Sequence, residues 1–377
     1  MQPKNVLNRR QWLKSSGATL AALACSSKLA GTAAPTANPA LTLSSPVSLS
    51  LNENSLGPSP VAIRAMRAQA SEVCRYPIAD SRALLTALAE KEGVPRDQIL
   101  IGAGSGEVLE AYGAYLGGEG GDVVTAWPSY RQLTGAMERR GSSVIEVPLN
   151  DRLELDLDAM SAAITATTKC VYVCNPNNPT GTIVDPEKLR EFAIEVSKQV
   201  PVFIDEAYLE CADDFVANTL VGLVAEGHNV TVSRTFSKLY AMAGQRIGYA
   251  VVPADLVAPV RSFITSGTSM LAMVGAQASL ADLGYVESMR RKLKAGRDGL
   301  IAVLDELGCR YVEPQGNFVF FQSSVSIADF RPAMQAAGVK VGRAFPPYDD
   351  WCRISIGTPD EMTVAQTALR EVLAKFV

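Results

Sequence analysis

VTVSRTFSKLYAMAGQRIGYAV, residues 230–251, decides the reading of this chain. It opens on a short β-branched run, Val230-Thr231-Val232, that reads as a buried strand. Hydroxyl residues follow (Ser233, Thr235, Ser237), then Lys238, then a Gly244/Arg246 turn leading into a second apolar strand. A lysine just past a strand, flanked by hydroxyls and an arginine, suits an amine held in a walled site beside a bound anion. Desolvated or placed near another cation, such a lysine sheds its proton and attacks a carbonyl to form a Schiff base. Taken alone, a Ser-Lys pair is ordinarily a surface lysine on a loop. Three other segments reverse that weighting.

Val202-Phe203-Ile204-Asp205-Glu206-Ala207-Tyr208 is a strand carrying an acid at its C-terminal end, where open α/β sheets put their ligands. A carboxylate there can hold a protonated ring nitrogen, and Tyr208 can reach the same ligand from the adjoining turn. Asn175-Pro176-Asn177-Asn178-Pro179-Thr180-Gly181 follows the strand Val171-Tyr172-Val173 and presents asparagine amides from a rigid turn. Ile99 to Glu107, ILIGAGSGE, is a strand entering a glycine-rich turn before a helical pattern, and free N–H groups at such a helix start bind anions. Gly102, Gly104 and Gly106 could be mistaken for a dinucleotide fingerprint, but residue 107 is Glu where that pattern needs its last glycine.

In this order the segments resemble the fold-type-I pyridoxal-phosphate enzymes, the class I and II aminotransferases, and within them the histidinol-phosphate aminotransferase branch. The branch is carried by Leu51-Asn52-Glu53-Asn54 with Gly57-Pro58, by Arg75-Tyr76-Pro77, and by NPNNPTG, IDEAY and TFSK. The resemblance covers the chain from about residue 48 onward. It implies an α/β fold: a large domain with a mostly parallel seven-stranded sheet, plus a smaller α+β domain. It also implies a division into an arm or small-domain segment (47–75), a large cofactor-binding domain (76–258) and a small C-terminal domain (259–377); residues 1–46, read as an export signal and linker, lie outside it.

The same resemblance assigns roles. Lys238 would carry pyridoxal phosphate and move the proton. Asp205 would keep the pyridine nitrogen protonated, and Asn178 and Tyr208 would hydrogen-bond the phenolic oxygen. Tyr130, after Pro128-Ser129, would stack on the ring; a lone tyrosine there is otherwise simple packing. Backbone N–H groups of Ser105, Gly106 and Glu107, with Thr235, Ser237 and Arg246, would cradle the phosphate. Relatives often carry an acid where this chain has Gly106, a change of little cost to a backbone contact. Tyr76 would reach the phosphate from the other subunit of a homodimer. Arg353 would bind the substrate anion, with Arg343 as a second substrate-side arginine.

At 377 residues the chain exceeds one ordinary core, so two domains are the default. Its 47% apolar and 20% charged content describes a globular protein, and a net charge of −4 gives no basic footprint for nucleic acid. No apolar run is long enough to span a bilayer. Asn8-Arg9-Arg10-Gln11-Trp12-Leu13-Lys14 precedes an Ala-rich segment, Gly17 to Ala24, and resembles a twin-arginine export signal. That route carries folded proteins, so an enzyme could load its cofactor before crossing to the periplasm or beyond. Lipidation at Cys25 fits poorly with Ala22. Cys74, Cys170, Cys174, Cys211, Cys309 and Cys352 sit mostly in apolar runs and read as small core residues. Cys170 and Cys174 lack the partners of a zinc site, and the one histidine, His228, cannot serve both a triad and a metal.

Along the chain, helical spacing appears at Val61–Ser71, Arg82–Glu92, Arg131–Arg140 and Asp156–Ile164, between strands at Asp122–Thr125 and Ser143–Val147. After about residue 255 long helices take over: Val286–Leu307, Ile327–Ala337 and Pro359–Phe376, with strands at Phe318–Gln322, near Val339 and at Arg353–Ile356. The expectation is an exported, homodimeric aminotransferase working by ping-pong exchange with a 2-oxo acid acceptor such as 2-oxoglutarate. Histidinol phosphate or an aromatic amino acid would be the donor. Export sits awkwardly with histidine synthesis, which is cytoplasmic, and Asn54-Ser55 replaces the Asn-Pro frequent in that branch. Two alternatives stay open: a lyase or decarboxylase using the same lysine, and a non-catalytic binding protein on the same scaffold.

Overall fold

The structure, a computed structural model, describes residues 46–118 and 120–376. The paired arginines and Cys25 of the expected export signal lie outside them. A two-residue strand, β1 (Val47–Ser48), is followed by ten more: β2 (Ile99–Gly102), β3 (Asp122–Trp127), β4 (Ser143–Pro148), β5 (Thr168–Cys174), β6 (Val202–Asp205), β7 (Val230–Thr235), β8 (Gly248–Val251), β9 (Phe318–Gln322), β10 (Val339–Lys340) and β11 (Trp351–Ser355). Seven of them form one sheet in the order β2-β8-β7-β6-β5-β3-β4.

Strands β4, β3, β5, β6 and β7 run parallel to one another, and β8 runs antiparallel to both β7 and β2. The exception has a simple cause. Only Phe236 to Ile247 separate β7 from β8, without a crossover helix, so the chain can only turn back on itself. Since β8 reverses twice over, β2 points the same way as β7. Gly102, Trp127, Cys174, Asp205 and Thr235 therefore end their strands along one edge of the sheet, the edge where such sheets take ligands.

Both faces of the sheet are covered, which is why its strands read as continuous apolar runs. In β5, Val171 and Val173 join one buried cluster, while Cys170, Tyr172 and Cys174 join another on the opposite face. Helices are started by side-chain caps readable in the sequence. Ser59 accepts from the Ala62 N–H ahead of Pro60, and Thr358 and Glu361 form a reciprocal capping box. The helix Met270–Ala281 was not legible, because MLAMVGAQASLA is small or apolar on every side and shows no stripe.

The two remaining sheets are small: β1 pairs in parallel with β10, and β9 pairs antiparallel with β11. Beyond β1, the Leu49 N–H donates to the Lys340 carbonyl, and the Leu49 carbonyl accepts from the Ser355 N–H. This stitching lays the segment around Asn52 across the strand ends. Among the described residues no helix is long and apolar enough to cross a membrane.

Candidate active site

At the end of β6, Asp205 is only 1% exposed. Its Oδ1 accepts from the Ser233 hydroxyl (2.9 Å) and the Ala207 N–H (3.2 Å), and its Oδ2 from the Tyr172 hydroxyl (3.0 Å). The register explains the convergence: Ser233 on β7 and Cys174 on β5 both stand opposite Asp205, and Tyr172 lies two residues back on the same face. All three donors are neutral. Burial pushes the carboxyl above its ordinary range and outweighs the hydrogen bonds. A charge so placed calls for a cation that the described residues do not bond to it.

Lys238 lies three residues past β7. Its Nζ donates to the carbonyls of Asn52 (2.9 Å) and Leu51 (3.4 Å) and sits 5.4 Å from the Tyr208 ring centre. Burial, reinforced by the Arg353 and Arg246 charges, lowers its amine to about 8. Asn52 itself is held at φ +55°, a left-handed conformation that asparagine tolerates better than most residues. Its N–H donates to Ser355 Oγ, its Nδ2 donates to the Tyr208 hydroxyl, and its carbonyl also accepts from Asn317 Nδ2.

The Tyr208 hydroxyl accepts from both Asn52 Nδ2 (3.1 Å) and Asn178 Nδ2 (3.2 Å), which leaves its own proton for a group in the cleft. Asn178 Oδ1 accepts from Arg353 Nη1, and Arg353 Nη2 donates to the Ser50 carbonyl (2.8 Å). The Arg353 guanidinium lies between Phe345 (5.0 Å) and Phe318 (5.5 Å), and its buried Nε has no hydrogen-bond partner. Burial lowers its affinity for its proton, so a ligand anion would be doubly welcome. Gly342 lets the chain close on this arginine: a Cβ there would stand 2.7 Å from the Arg353 carbonyl. Next to it, Arg343 lies over the Phe345 ring at 4.4 Å.

The other end of the cleft is built for an anion. The helix Ser105–Gly117 starts beside β8 so closely that a Cβ on Gly248 would lie 2.2 Å from the Ser105 nitrogen. Thr235 Oγ1 donates to Ser237 Oγ (3.0 Å), and Arg246 reaches Ser237 Oγ (3.4 Å) and the carbonyls of Ala243 (2.9 Å) and Ala103 (3.4 Å). First-turn N–H groups, two hydroxyls and a guanidinium thus converge.

These groups line one cavity of about 490 Å³. Ser105, Gly106, Tyr130, Thr235, Ser237 and Arg246 line it, and so do Asn178, Asp205, Tyr208, Lys238, Arg343 and Arg353. Two expected residues do not. The Glu107 N–H donates to the Gly104 carbonyl, and its carboxylate accepts from the N–H groups of Ala103 (2.7 Å) and Ser266 (2.8 Å). These bonds tie Glu107 to the turn and to the segment around Ser266. Tyr76 is 91% exposed and lies outside the cavity. The sequence reading, conversely, gave no role to Asn52, Glu53 or Gln132, which line the cavity. For Asn52 the available signal was its place in Leu51-Asn52-Glu53-Asn54.

Behind the cleft lies a buried ion cluster. Arg234 pairs with Glu92 (2.7 Å) and Glu206 (2.9 Å), and Lys91 pairs with Glu210 (2.8 Å). Glu206 and Arg234 directly follow Asp205 and Ser233, so the cluster anchors the two strand ends that carry the site.

The arrangement fits a flat heteroaromatic ligand with a phosphate arm: anion donors at one end, a cation-seeking acid at the other, an amine between. A model of the aminotransferase class I and II family matches residues 44–369. The chain is 36% identical over 332 residues to the histidinol-phosphate aminotransferase of Moorella thermoacetica, covering 87% of this chain and 86% of that one. It is 37% identical over 334 residues to that of Akkermansia muciniphila, covering 87% and 90%. The histidinol-phosphate aminotransferase from Sinorhizobium meliloti, solved in complex with pyridoxal-5'-phosphate, superposes with a TM-score of 0.80 at 27% identity, covering 88% of this chain and 92% of that one.

Proposed function

The chain belongs to the aminotransferase class I and II family, and we propose that its cleft takes an amino donor carrying a second anion and is completed by another copy of the chain. It is a pyridoxal-phosphate-dependent aminotransferase, moving an amino group from a donor to a 2-oxo acid. When bound, the cofactor supplies an electron-accepting ring that stabilises the carbanion left by loss of the donor's α-proton.

The chain's own residues divide the remaining work. Asp205 would hold a protonated ring nitrogen, the cation its neutral donors leave wanting. Tyr208, its acceptor sites filled by Asn52 and Asn178, would donate to the ring oxygen. Ser105 and Gly106 N–H groups, Thr235, Ser237 and Arg246 would hold the phosphate, and the Tyr130 ring would wall the cleft. Lys238, lowered to about 8, is poised to take the α-proton and return it two atoms along, on the far side of the nitrogen. The observation that carries the reading is this amine in the same cleft as an acid without a cation. Borohydride treatment of the cofactor-loaded protein should leave a stable pyridoxyl group on Lys238, and Lys238→Ala should take none up.

Two arginines in one cleft, Arg353 with an unpartnered buried Nε, support a donor bearing a phosphate or carboxylate away from its amine. The relatives named for histidinol phosphate make an amino-alcohol phosphate the first donor to try, ahead of aromatic amino acids. With 2-oxoglutarate as acceptor, glutamate should appear. Release of ammonia, pyruvate or CO₂ without an acceptor would favour a lyase instead. Exposed apolar side chains at Leu51, Tyr76, Ile78 and Leu283 support a homodimer in which Tyr76 reaches the partner's phosphate site. Light scattering should give twice the chain mass, and Tyr76→Ala should weaken cofactor retention. Arg9-Arg10 with the following apolar segment support export by the twin-arginine route. Replacing both arginines by lysine should then retain a fused reporter in the cytoplasm.

A further inference from the structure

Gly106 needs an explanation. It is the second residue of the Ser105–Gly117 helix, and its φ is not in the left-handed region, so the backbone does not require glycine. Glycine there only weakens the helix relative to alanine. The space explains it: a Cβ at 106 would lie 2.6 Å from Oε1 and 2.8 Å from Nε2 of Gln132. Those atoms are the far end of a flexible side chain, and a retreat would cost the hydrogen bond by which Gln132 Oε1 accepts the Tyr130 hydroxyl proton at 2.6 Å. Tyr130 is 39% exposed, so packing alone does not fix its ring. Gln132 and Tyr130 both line the cleft, and the Gln132 amide N–H groups stand beside the helix turn that offers its own to an anion.

We propose that Gln132 is a positioning residue: seated in the space left by Gly106, it fixes the Tyr130 ring against the cofactor through one hydrogen bond. The inference rests on the cleft holding pyridoxal phosphate, with Tyr130 as its wall. Loss of this hydrogen bond frees the phenol ring to rotate, whichever partner is removed. Loss of the space drives Gln132 off Tyr130 with the same result.

The test reads the cofactor dissociation constant and the visible circular dichroism of the bound cofactor, which reports how asymmetrically its ring is held, in the full-length protein. Tyr130→Phe and Gln132→Leu should each weaken cofactor binding about 5-fold, the scale of one hydrogen bond, and each should shrink the dichroic band. The double variant should be no worse than the weaker-binding single, since both remove the same interaction. Gln132→Glu keeps an acceptor for the phenol and should retain the band at saturating cofactor. Gly106→Ala should copy Gln132→Leu, yet have no further effect in a Gln132→Ala background, where the space is open. Additive losses, an unchanged band in both single variants, or a Gly106→Ala effect that persists in the Gln132→Ala background would each overturn the proposal. A parent protein that binds no pyridoxal phosphate would instead defeat the functional reading.

Discussion

Asp205 and Glu206 are adjacent in sequence and both buried, yet the fold neutralises them in opposite ways. Glu206 accepts from Arg234 Nε (3.0 Å), the Leu220 N–H (2.7 Å) and the Thr219 hydroxyl (3.0 Å), and Arg234 is shared with Glu92. Asp205 receives two hydroxyls and an N–H, and no ion pair among the described residues. Strand alternation sends the two side chains to opposite faces. A buried acid that comes with its own cation is part of the frame. A buried acid given only neutral donors is a receptor, and the cation it lacks is the ligand's.

The largest effect belongs to the amine that shares Asp205's cleft. Lys238→Ala should lower turnover by about 10³-fold or more, measured as glutamate formed from 2-oxoglutarate. Thermal unfolding of the cofactor-free protein should barely move, because the amine's hydrogen bonds go only to two backbone carbonyls and its charged form is penalised by burial. The two acids should then separate cleanly. Asp205→Asn should cost about 10²-fold in turnover and leave the cofactor-free protein as stable or more so, since a desolvated charge is removed. Glu206→Gln should cost about 3–5 kcal/mol in urea unfolding, because Arg234 loses a buried partner. The cofactor spectrum of the folded fraction should stay that of the parent. If the two substitutions gave the same profile, the division between frame and receptor would fail.

This division also marks what the sequence could reveal. Asp205, Lys238 and Asn178 each sit in a strand-turn segment whose local pattern announces a strand end, and strand ends on one edge are where ligands go. Nothing local announces the ion cluster: Glu92 and Arg234 lie 142 positions apart, and their pairing exists only once β8 folds back against β2. Arg234 stood inside the decisive stretch and still passed unnoticed, because spacing shows adjacency along a chain and not burial. Glu107 teaches a related point. A residue in a glycine turn offers both an N–H and a side chain, and the sequence does not say that both are spent on the turn itself. Asn52 was hidden by its distance from the strands, since the arm reaches the cleft through pairings with residues near the other end of the chain, β1 with β10 and Leu49 with Ser355.

Two lysines extend the contrast to bases and carry the smallest predicted effect. Lys91 keeps a quarter of its side chain exposed; the desolvation it does suffer would by itself drive its proton off, but Glu210, Tyr240 and Glu92 hold its amine above the ordinary range. Lys238 is desolvated too, and the nearby Arg353 charge pushes the same way, to about 8. The signs for stability are opposite. Lys91 contributes stability that is complete below the unfolded lysine value of about 10.4 and fades as pH rises through its higher folded one. Lys238 is penalised while charged, so its contribution improves with pH from about 8 to about 10.4, where the unfolded chain binds the extra proton. Capture of pyridoxal phosphate by the cofactor-free protein needs the neutral amine, so its rate should climb with a midpoint near pH 8. Arg353→Gln should shift that midpoint upward, because one of the causes that lower it is gone. Replacing Lys91 should leave the midpoint in place: Lys91 sits with its own counter-charges in the frame, and only the receptor's lysine answers to the charge of the cleft.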